Sequence, residues 1–252
     1  METDDVAGVS GPANLAGKVA VITGGGRGIG RATALRLARA GMRIVVAART
    51  AAEIDETAQS VRAIGAPCIS APTDVADEAQ CAALIDRAVS EFGAVDLLVN
   101  NAGNARFRPI WETTAADLEY NLAVNLRGLF FCSQAALRVM MPRKRGQIIH
   151  IVSSAARKPY ANQGAYCAAK AAALALSTNM ALELRPYGIR VNAINPGGVD
   201  TRLAAEVHPT RDKAGWIRPE EIAETVAYLA SLPSNVTVDQ VTLRRFLAEP
   251  LT

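Results

Sequence analysis

The sequence predicts an α/β protein of one domain, a doubly wound parallel sheet of about seven strands with helices on both faces. Short apolar runs typical of buried strands alternate with helical patterns along nearly the whole chain. This alternation favours parallel strands joined by right-handed crossovers. The length of 252 residues suits one such domain, and a composition that is 50% hydrophobic and 20% charged is that of an ordinary globular protein.

The predicted elements follow one another in a regular order. Strand-like runs end near Ile22, Val46, Ile69, Val99, Val152, Ile194 and Leu243. Helical patterns occupy the intervals 28–40, 51–64, 77–92, 115–141, 164–185 and 219–231. Residues 1–14 contain Glu2, Asp4 and Asp5 but no apolar core, so we expect a disordered tail there and no secretory signal. Residues 15–252 are predicted to form the single domain.

The first strand, residues 18–23, runs directly into a turn that contains Gly24, Gly28 and Gly30. A helical pattern follows, and Gly41 ends it. Strand, glycine turn and helix open a dinucleotide-binding unit of the Rossmann type, in which the backbone approaches a pyrophosphate at the helix N-terminus. The spacing is Thr-Gly-x-x-x-Gly-x-Gly rather than the usual Gly-x-Gly-x-x-Gly. A flexible turn between two elements is the alternative interpretation.

The end of the second strand indicates the kind of dinucleotide. A cofactor without a 2′-phosphate usually meets an acid here, which accepts the ribose hydroxyls. This chain has Ala48 and Arg49 instead, and no acid appears until Glu53, inside the next helical pattern. Arg49 and Arg27 could clamp a 2′-phosphate, because guanidinium groups suit phosphate geometry. We therefore predict NADP(H) rather than NAD(H); the alternative is that both arginines are solvated surface groups.

Tyr166 and Lys170 lie four residues apart in an Ala-rich helical pattern, so they share one face of the helix. A nearby cation favours the phenolate, and we expect Lys170 to lower the pKa of Tyr166 from its ordinary value of ~10. Such a tyrosine could serve as a general acid or base for an alkoxide or alcohol. An ordinary helix surface is the alternative. Ser153 and Ser154 follow the fifth strand-like run, and in an extended segment only one of them can face Tyr166.

The ordered motifs resemble a known family. They are Thr23-Gly24-x-x-x-Gly28-x-Gly30, Asn100-Asn101-Ala102-Gly103, Ser153, Tyr166-x-x-x-Lys170 and Pro196-Gly197. The pattern resembles the short-chain dehydrogenase/reductase family in its single-domain branch, and it is similar to the ketoacyl-carrier-protein reductases. The resemblance covers about residues 15–245.

The resemblance implies roles for four catalytic residues. Tyr166 would be the acid/base, and Lys170 would hold the nicotinamide ribose. Ser153, rather than Ser154, would bind the substrate oxygen. Asn125 would distort its helix and bind a water that links Lys170 to solvent; a structural hydrogen bond is the alternative for this buried amide.

The resemblance also implies the cofactor contacts, which include Tyr166 and Lys170 themselves. The glycine turn contributes Gly24, Arg27, Gly28, Ile29 and Gly30, and Arg49 follows the second strand. Asp74 and Val75 would flank the adenine, and Asn101, Ala102 and Gly103 would leave room for the adenosine ribose. The segment that closes over the nicotinamide contributes Pro196, Gly197, Val199 and Thr201.

Composition argues against several other classes. A net charge of +3 is too small to indicate nucleic-acid binding, and no apolar run approaches the ~20 residues of a membrane span. Cys68, Cys81, Cys132 and Cys167 show no metal-ligand spacing, and without a signal they are typical of reduced cytoplasmic thiols. The two histidines, His150 and His208, offer little for a metal site, and we predict none; His150 is interpreted as buried structure.

Two helices, within residues 121–141 and 166–184, are apolar on most sides. Such helices need cover, and the resemblance implies that they pair between subunits, so we predict a homodimer or homotetramer. The C-terminal sequence departs from the family pattern, which puts the tetramer in doubt more than the dimer. The stretch 201–219 is a short polar lid, and Arg106, Phe107 and Trp111 could line the substrate pocket.

These observations predict an NADP(H)-dependent oxidoreductase that interconverts a small ketone and a secondary alcohol by hydride transfer, with Tyr166 as acid/base. The alternative from another class is a regulator that binds NADP(H) and catalyses nothing. A relative with epimerase or dehydratase chemistry is a third interpretation, for which the chain leaves no room for a substrate domain. The sequence does not identify the substrate, because a shared fold is silent about it.

Overall fold

Seven parallel strands form one sheet in the described part of the chain. The computed structural model describes residues 14–210 and 212–249. The strands are β1 (Val19–Thr23), β2 (Arg43–Ala48), β3 (Cys68–Pro72), β4 (Leu97–Asn100), β5 (Gly146–Ile151), β6 (Ile189–Pro196) and β7 (Gln240–Leu243). Their order is β3-β2-β1-β4-β5-β6-β7, and all neighbours are parallel. The predicted doubly wound sheet is confirmed.

Helices cover both faces of this sheet. They are α1 (Gly28–Arg39), α2 (Ala51–Ala63), α3 (Glu78–Phe92), α4 (Ala115–Leu122), α5 (Leu129–Met140), α6 (Gly164–Leu184), α7 (Arg202–Val207) and α8 (Pro219–Ser231). Ile22 and Ile44 pack in one core cluster with α1, α2 and α8, whereas Val21 and Val45 pack in another with α3, α5 and α6. Successive strand residues thus bury opposite faces, which explains the continuous apolar runs.

The strand order determines where the ligand-binding crevice lies. From β1 the chain proceeds outward to β3 on one side, and from β4 outward to β7 on the other. The neighbours β1 and β4 therefore form a topological switch point, and open parallel sheets bind ligands beyond the carboxyl ends of the strands at such a point.

The helix predicted over 115–141 is divided. A π-helical segment, Ala123–Gly128, separates α4 from α5. Asn125 lies inside it, and its Nδ2 donates to the Asn121 carbonyl at 2.8 Å, the acceptor that the Asn125 N–H would use in a regular α-helix. A side chain that competes for a helical carbonyl explains a local change of winding.

Two boundaries near the C-terminus differ from expectation. The polar lid contains the short helix α7, whose first N–H groups are capped by Thr201, with Oγ1 accepting from the Ala204 N–H at 3.2 Å. The strand-like run that ends near Leu243 forms a strand only from Gln240. Just before it, the Val238 carbonyl accepts from the Asn192 side chain, through Nδ2 at 2.8 Å.

The described part of the chain begins at Asn14 and ends at Glu249. The predicted tail, residues 1–14, lies outside the described residues except for Asn14. Within residues 14–210 and 212–249, no helix combines the length and apolar character that crossing a bilayer requires.

Candidate active site

The carboxyl ends of the strands open into a cleft with a cavity of about 580 Å³. Of the residues predicted to bind cofactor or act in catalysis, all but one line it: Gly24, Arg27, Gly28, Ile29, Arg49, Asp74, Val75, Asn101, Ala102, Gly103, Asn125, Ser153, Tyr166, Lys170, Pro196, Gly197, Val199 and Thr201. The exception is Gly30, which lies beneath the glycine turn rather than in its surface.

Gly30 allows α1 to approach β1 closely. A Cβ atom at this position would lie 2.2 Å from the Gly24 carbonyl oxygen and 2.5 Å from Asn101 Nδ2. Gly24 and Gly28 have φ angles of +63° and +53°, in the region that favours glycine. The turn therefore depends on glycine for close approach at one position and for backbone conformation at the other two.

The N-terminus of α1 faces the cleft and is suited to an anion. The capping residue, Arg27, makes no side-chain cap, and the first turn contains no acidic residue. Its free N–H groups and partial positive charge are the usual means of binding a pyrophosphate. Thr23 fixes this turn to the neighbouring one, since its Oγ1 accepts from the N–H groups of Asn101 and Ala102, each at 3.1 Å. A dinucleotide phosphate fits the residues present.

The end of β2 supplies a cation to the cleft. Arg49 is exposed there, and no carboxylate of the described residues lies within ion-pair distance of it. Glu53 lies inside α2, as expected, but it also lines the cleft and pairs with Arg202 at 3.5 Å. Arg27 pairs with Glu206 at 3.6 Å, a contact that the sequence did not indicate.

Ser153, Tyr166 and Lys170 meet at the floor of the cleft. The side chains of Tyr166 and Ser153 are hydrogen-bonded to each other. Lys170 is buried, lies 5.9 Å from the centroid of the Tyr166 ring, and donates through Nζ to the Ile151 carbonyl at 3.2 Å. Ser154 instead makes a 3.4 Å hydrogen bond with Tyr160.

The prediction that the pKa of Tyr166 is lowered, by the neighbouring Lys170, is wrong for this structure. Desolvation at the cavity floor raises the pKa of Tyr166, and the hydrogen bond with Ser153 only partly offsets the rise. Burial lowers the pKa of Lys170 itself to about 8. The phenol is therefore neutral at neutral pH.

Asn125 connects the π-helical segment to the loop after β4. Its Nδ2 donates to the carbonyl and the side-chain oxygen of Asn104, each at 2.9 Å. Its Oδ1 is buried and accepts no hydrogen bond from the described residues. A Cβ on Gly103 would lie 3.1 Å from that oxygen and 3.8 Å from Lys170 Nζ, so acceptor and ammonium flank one small gap over Gly103. This position suits the bridging role that the family resemblance implies.

His150 lies behind this floor as buried structure, as expected. Its Nδ1 is 2.6 Å from Ser177 Oγ and its Nε2 is 3.2 Å from Ser133 Oγ. Complete burial, followed by the charge of Lys170, lowers the pKa of His150 to about 3. The imidazole is therefore neutral at physiological pH and holds β5 between α5 and α6.

The substrate end of the cleft contains Phe107, which was expected to line the pocket, and further residues that the sequence did not indicate. A row of rings leads away from Tyr166: Phe107 lies 5.4 Å from it, His208 lies 5.5 Å from Phe107, and Trp216 lies 6.5 Å from His208, between centroids. The C-terminal segment adds Arg244, Arg245, Ala248 and Glu249, and the loop after β5 adds Lys158, Tyr160 and Gln163. No local pattern marked them, because only folding brings these segments together.

Two other suggestions for the pocket are wrong. Trp111 is 81% exposed and does not line the cleft. Arg106 is directed to α4 instead, where it pairs with Asp117 at 3.1 Å and lies over the Tyr120 ring at 4.2 Å. Phe107 does line the cleft, so one of the three suggestions is correct.

Fold and cleft together define a dinucleotide-binding α/β protein. The family model described as short chain dehydrogenase matches residues 18–212. The chain is 39% identical to a cis-4-hydroxycyclohexanecarboxylate dehydrogenase of Sinomonas cyclohexanicum, over 90% of this chain and 94% of the relative. It is 37% identical to an L-xylulose reductase of Mesocricetus auratus, over 88% and 93%.

A solved structure agrees. The chain superimposes with a TM-score of 0.85 and 31% identity on an alcohol dehydrogenase from the archaeon Thermococcus sibiricus complexed with 5-hydroxy-NADP, covering 92% of this chain and 98% of that one. The chain belongs to the short-chain dehydrogenase/reductase family. It is therefore an oxidoreductase of CH–OH or C=O groups in small molecules, and it uses a nicotinamide cofactor.

Proposed function

We propose that the protein is an NADP(H)-dependent enzyme that interconverts a ketone and a secondary alcohol, with Tyr166 as the acid/base. The observation that carries the proposal is the Tyr166 phenol at the cleft floor, hydrogen-bonded to Ser153 and one helical turn from the buried Lys170. The bound nicotinamide supplies the hydride for reduction or accepts it in oxidation.

The protein groups position the substrate and move the proton. Ser153 binds the substrate oxygen and holds it beside the phenol. Tyr166 donates its proton to the alkoxide that forms during reduction, and its raised pKa keeps that proton available at neutral pH. Lys170 holds the nicotinamide ribose and places a positive charge behind the ring. Asn125 positions Lys170 through the gap over Gly103.

The cofactor would extend along the cleft between two ends. The glycine turn would bind the pyrophosphate, Asp74 and Val75 would flank the adenine, and the turn 101–103 would leave room for the ribose. Pro196 at the end of β6 and the following Gly197, Val199 and Thr201 would hold the nicotinamide. Preference for NADP(H) rests on the unpaired Arg49 and on the lack of an acid at the end of β2. The Thermococcus relative was solved with 5-hydroxy-NADP, which supports the same preference.

We also propose a cytoplasmic protein that works as a homodimer or homotetramer. The four cysteines are free thiols, and even Cys81 and Cys132, whose sulfurs lie 3.3 Å apart, are not joined. Free thiols are typical of a reducing compartment. The apolar outer faces of α5 and α6 support the assembly.

The decisive experiment is substitution of Tyr166 by Phe, assayed by the absorbance of NADPH with a panel of ketones and β-keto thioesters. The panel includes 4-oxocyclohexanecarboxylate, the ketone counterpart of the compound for which the Sinomonas relative is named. Because the ring is kept and the proton is removed, we expect turnover to fall at least ~10²-fold while NADPH binding persists.

The matched control for this experiment is Tyr187→Phe, at an exposed tyrosine outside the cleft, which should leave turnover unchanged. Near-normal turnover in Tyr166→Phe would refute the assigned role. Cofactor binding by the wild type without turnover of any ketone in the panel would favour the regulator instead.

A further inference from the structure

The C-terminal segment, residues 244–249, forms one wall of the cleft's substrate end. It begins where the Gly197 N–H donates to the Leu243 carbonyl at 2.7 Å. Arg244 Nη1 then donates to the carbonyls of Arg245, Phe246 and Ala248, which folds the segment into a compact turn. An ion pair of 3.2 Å between Glu249 and Lys158 fastens its far end to the loop after β5. The segment is therefore held over the cleft by contacts at both ends.

Arg245 is the cation of this wall that remains available to a ligand. Its guanidinium carbon lies 5.7 Å from the centroid of the Trp216 ring, and the residue is half-buried. Among residues 14–210 and 212–249, no carboxylate lies within ion-pair distance of it. The neighbouring cations already have partners: Arg244 donates to backbone carbonyls, and Lys158 forms an ion pair with Glu249.

The ring row defined above connects Arg245 to the reacting centre. From Tyr166 it passes through Phe107, His208 and Trp216 and ends under the Arg245 guanidinium. One end of the row offers the proton-donating phenol and the other offers a positive charge, with aromatic surface between them. Such a wall matches a molecule with a carbonyl at one end, an apolar body and an anion at the other end.

This cation is not placed for the cofactor phosphates. Arg245 follows β7 and lies over the Trp216 ring, and a Cβ on Gly198 would lie 3.2 Å from that same ring. The phosphate-binding turn follows β1, which lies three strand positions from β6 in the sheet. Three strand spacings amount to about 14 Å. The Arg245 charge thus belongs to the end of the cleft where the substrate reacts.

We infer that the substrate is a keto acid or hydroxy acid whose carboxylate is bound by Arg245, while its apolar body packs on Phe107 and Trp216. The inference rests on the proposed function, because it takes Tyr166 as the reacting end. A guanidinium that lies over an indole at this distance has N–H groups left for a planar carboxylate, which it can bind with two hydrogen bonds. Arg245 is thereby a specificity-determining residue that touches the substrate away from the reacting carbon.

Binding to the enzyme–NADP⁺ complex tests the inference without turnover. Calorimetry with cyclohexanecarboxylate and its neutral isostere, cyclohexanecarboxamide, should show the carboxylate bound at least ~10-fold more tightly by the wild type, as for a charge-assisted hydrogen bond. In Arg245→Gln the two should bind equally weakly. Arg157→Gln, an exposed arginine outside the cleft, is the matched control and should keep the wild-type preference. Equal binding of both compounds by the wild type overturns the inference, as does a preference that survives in Arg245→Gln.

Kinetics then separate this inference from the proposed function. With 4-oxocyclohexanecarboxylate, Arg245→Gln should lower kcat/KM about 10–100-fold through KM, and with the corresponding carboxamide it should change little. Reduction of neutral ketones with no preference for their acid counterparts would overturn the inference and leave the proposed function intact. Selective carboxylate binding without turnover of any ketone would support the carboxylate site at Arg245 and overturn the proposed function.

Discussion

At the scale of one residue, burial of the Lys170 ammonium lowers the stability of the native protein. Its ammonium is buried and donates one hydrogen bond, to Ile151, in an environment that lowers its pKa to about 8. The unfolded chain binds a proton here up to its ordinary value near ~10.4, so between these two values the unfolded state binds more protons than the native state. The stability of the native protein therefore rises with pH through this window.

Substitution of Lys170 by Met should stabilise the cofactor-free protein while it lowers activity. We expect the free energy of unfolding at pH 7 to rise by about 1–3 kcal/mol, because the buried charge is removed. The advantage over the wild type should shrink as the pH rises from 8 toward 10. Denaturant unfolding at several pH values measures it, with Lys144→Met at an exposed turn as the control. A less stable variant at pH 7 would mean that the hydrogen bond to Ile151 outweighs the burial of charge.

Arg49 decides the proposed cofactor preference. Replacing it by Ala should raise KM for NADPH about 10–100-fold, since a charge-assisted contact to the 2′-phosphate is lost, and should leave KM for NADH nearly unchanged. Arg43→Ala, at the opposite end of β2, is the matched control. An equal rise for both cofactors would place Arg49 on a part of the dinucleotide that they share. No change for either would remove the support for NADP(H).

At the scale of elements, the division between α4 and α5 matters most for the cleft. A continuous helix would use the Asn121 carbonyl for its own backbone, whereas here that carbonyl binds the Asn125 side chain. The π-helical segment also brings Gly128 against Val75, where a Cβ would lie 2.6 Å from the valine Cγ2. The irregular winding thus places the Asn125 amide beside Gly103 and brings Gly128 against Val75 at the proposed adenine site.

The outer faces of α5 and α6 carry apolar side chains that the monomer leaves uncovered. Phe130 on α5 is 42% exposed and Leu182 on α6 is 70% exposed. Ala168, Ala171 and Ala175 are also exposed along α6, so a second helix could approach it closely. These faces support the proposed pairing of subunits through α5 and α6.

Phe130→Glu should convert the oligomer to a smaller species. Burying an unpaired carboxylate in an apolar interface costs several kcal/mol, enough to break a dimer of ordinary affinity. Light scattering after gel filtration measures the mass, and circular dichroism checks that the fold is kept. Tyr228→Glu, at an exposed tyrosine on α8, is the control for pairing through α5 and should leave the dimer intact. An unchanged mass for Phe130→Glu would show that subunits associate through another face.

At the scale of the whole molecule, the cleft is assembled from segments far apart in sequence. Thr23 ties the glycine turn to the turn after β4, and the Gly197 N–H bonds the carbonyl that precedes the C-terminal segment. The switch point between β1 and β4 creates the crevice, and the later strands bring the proposed catalytic and substrate-binding groups to it. The carboxyl ends of the strands thus provide separate places for the proposed phosphate, nicotinamide and substrate sites.

The sequence by itself determined the features that depend on local periodicity and spacing. Alternating apolar runs and helical patterns predicted the parallel sheet, and the glycine turn predicted an anion site at a helix N-terminus. The four-residue interval predicted that Tyr166 and Lys170 share a face. Each follows from backbone geometry over a few residues, which neighbours in sequence already specify.

Only the tertiary structure decided the features that depend on distant groups. The raised pKa of Tyr166 follows from desolvation by several segments, and no interval along the chain encodes that burial. The outward position of Trp111 and the placement of Arg245 in the cleft were likewise not predicted. Desolvation and nonlocal contact exist only once the chain has folded, so they lie beyond what a pattern of neighbouring residues can specify.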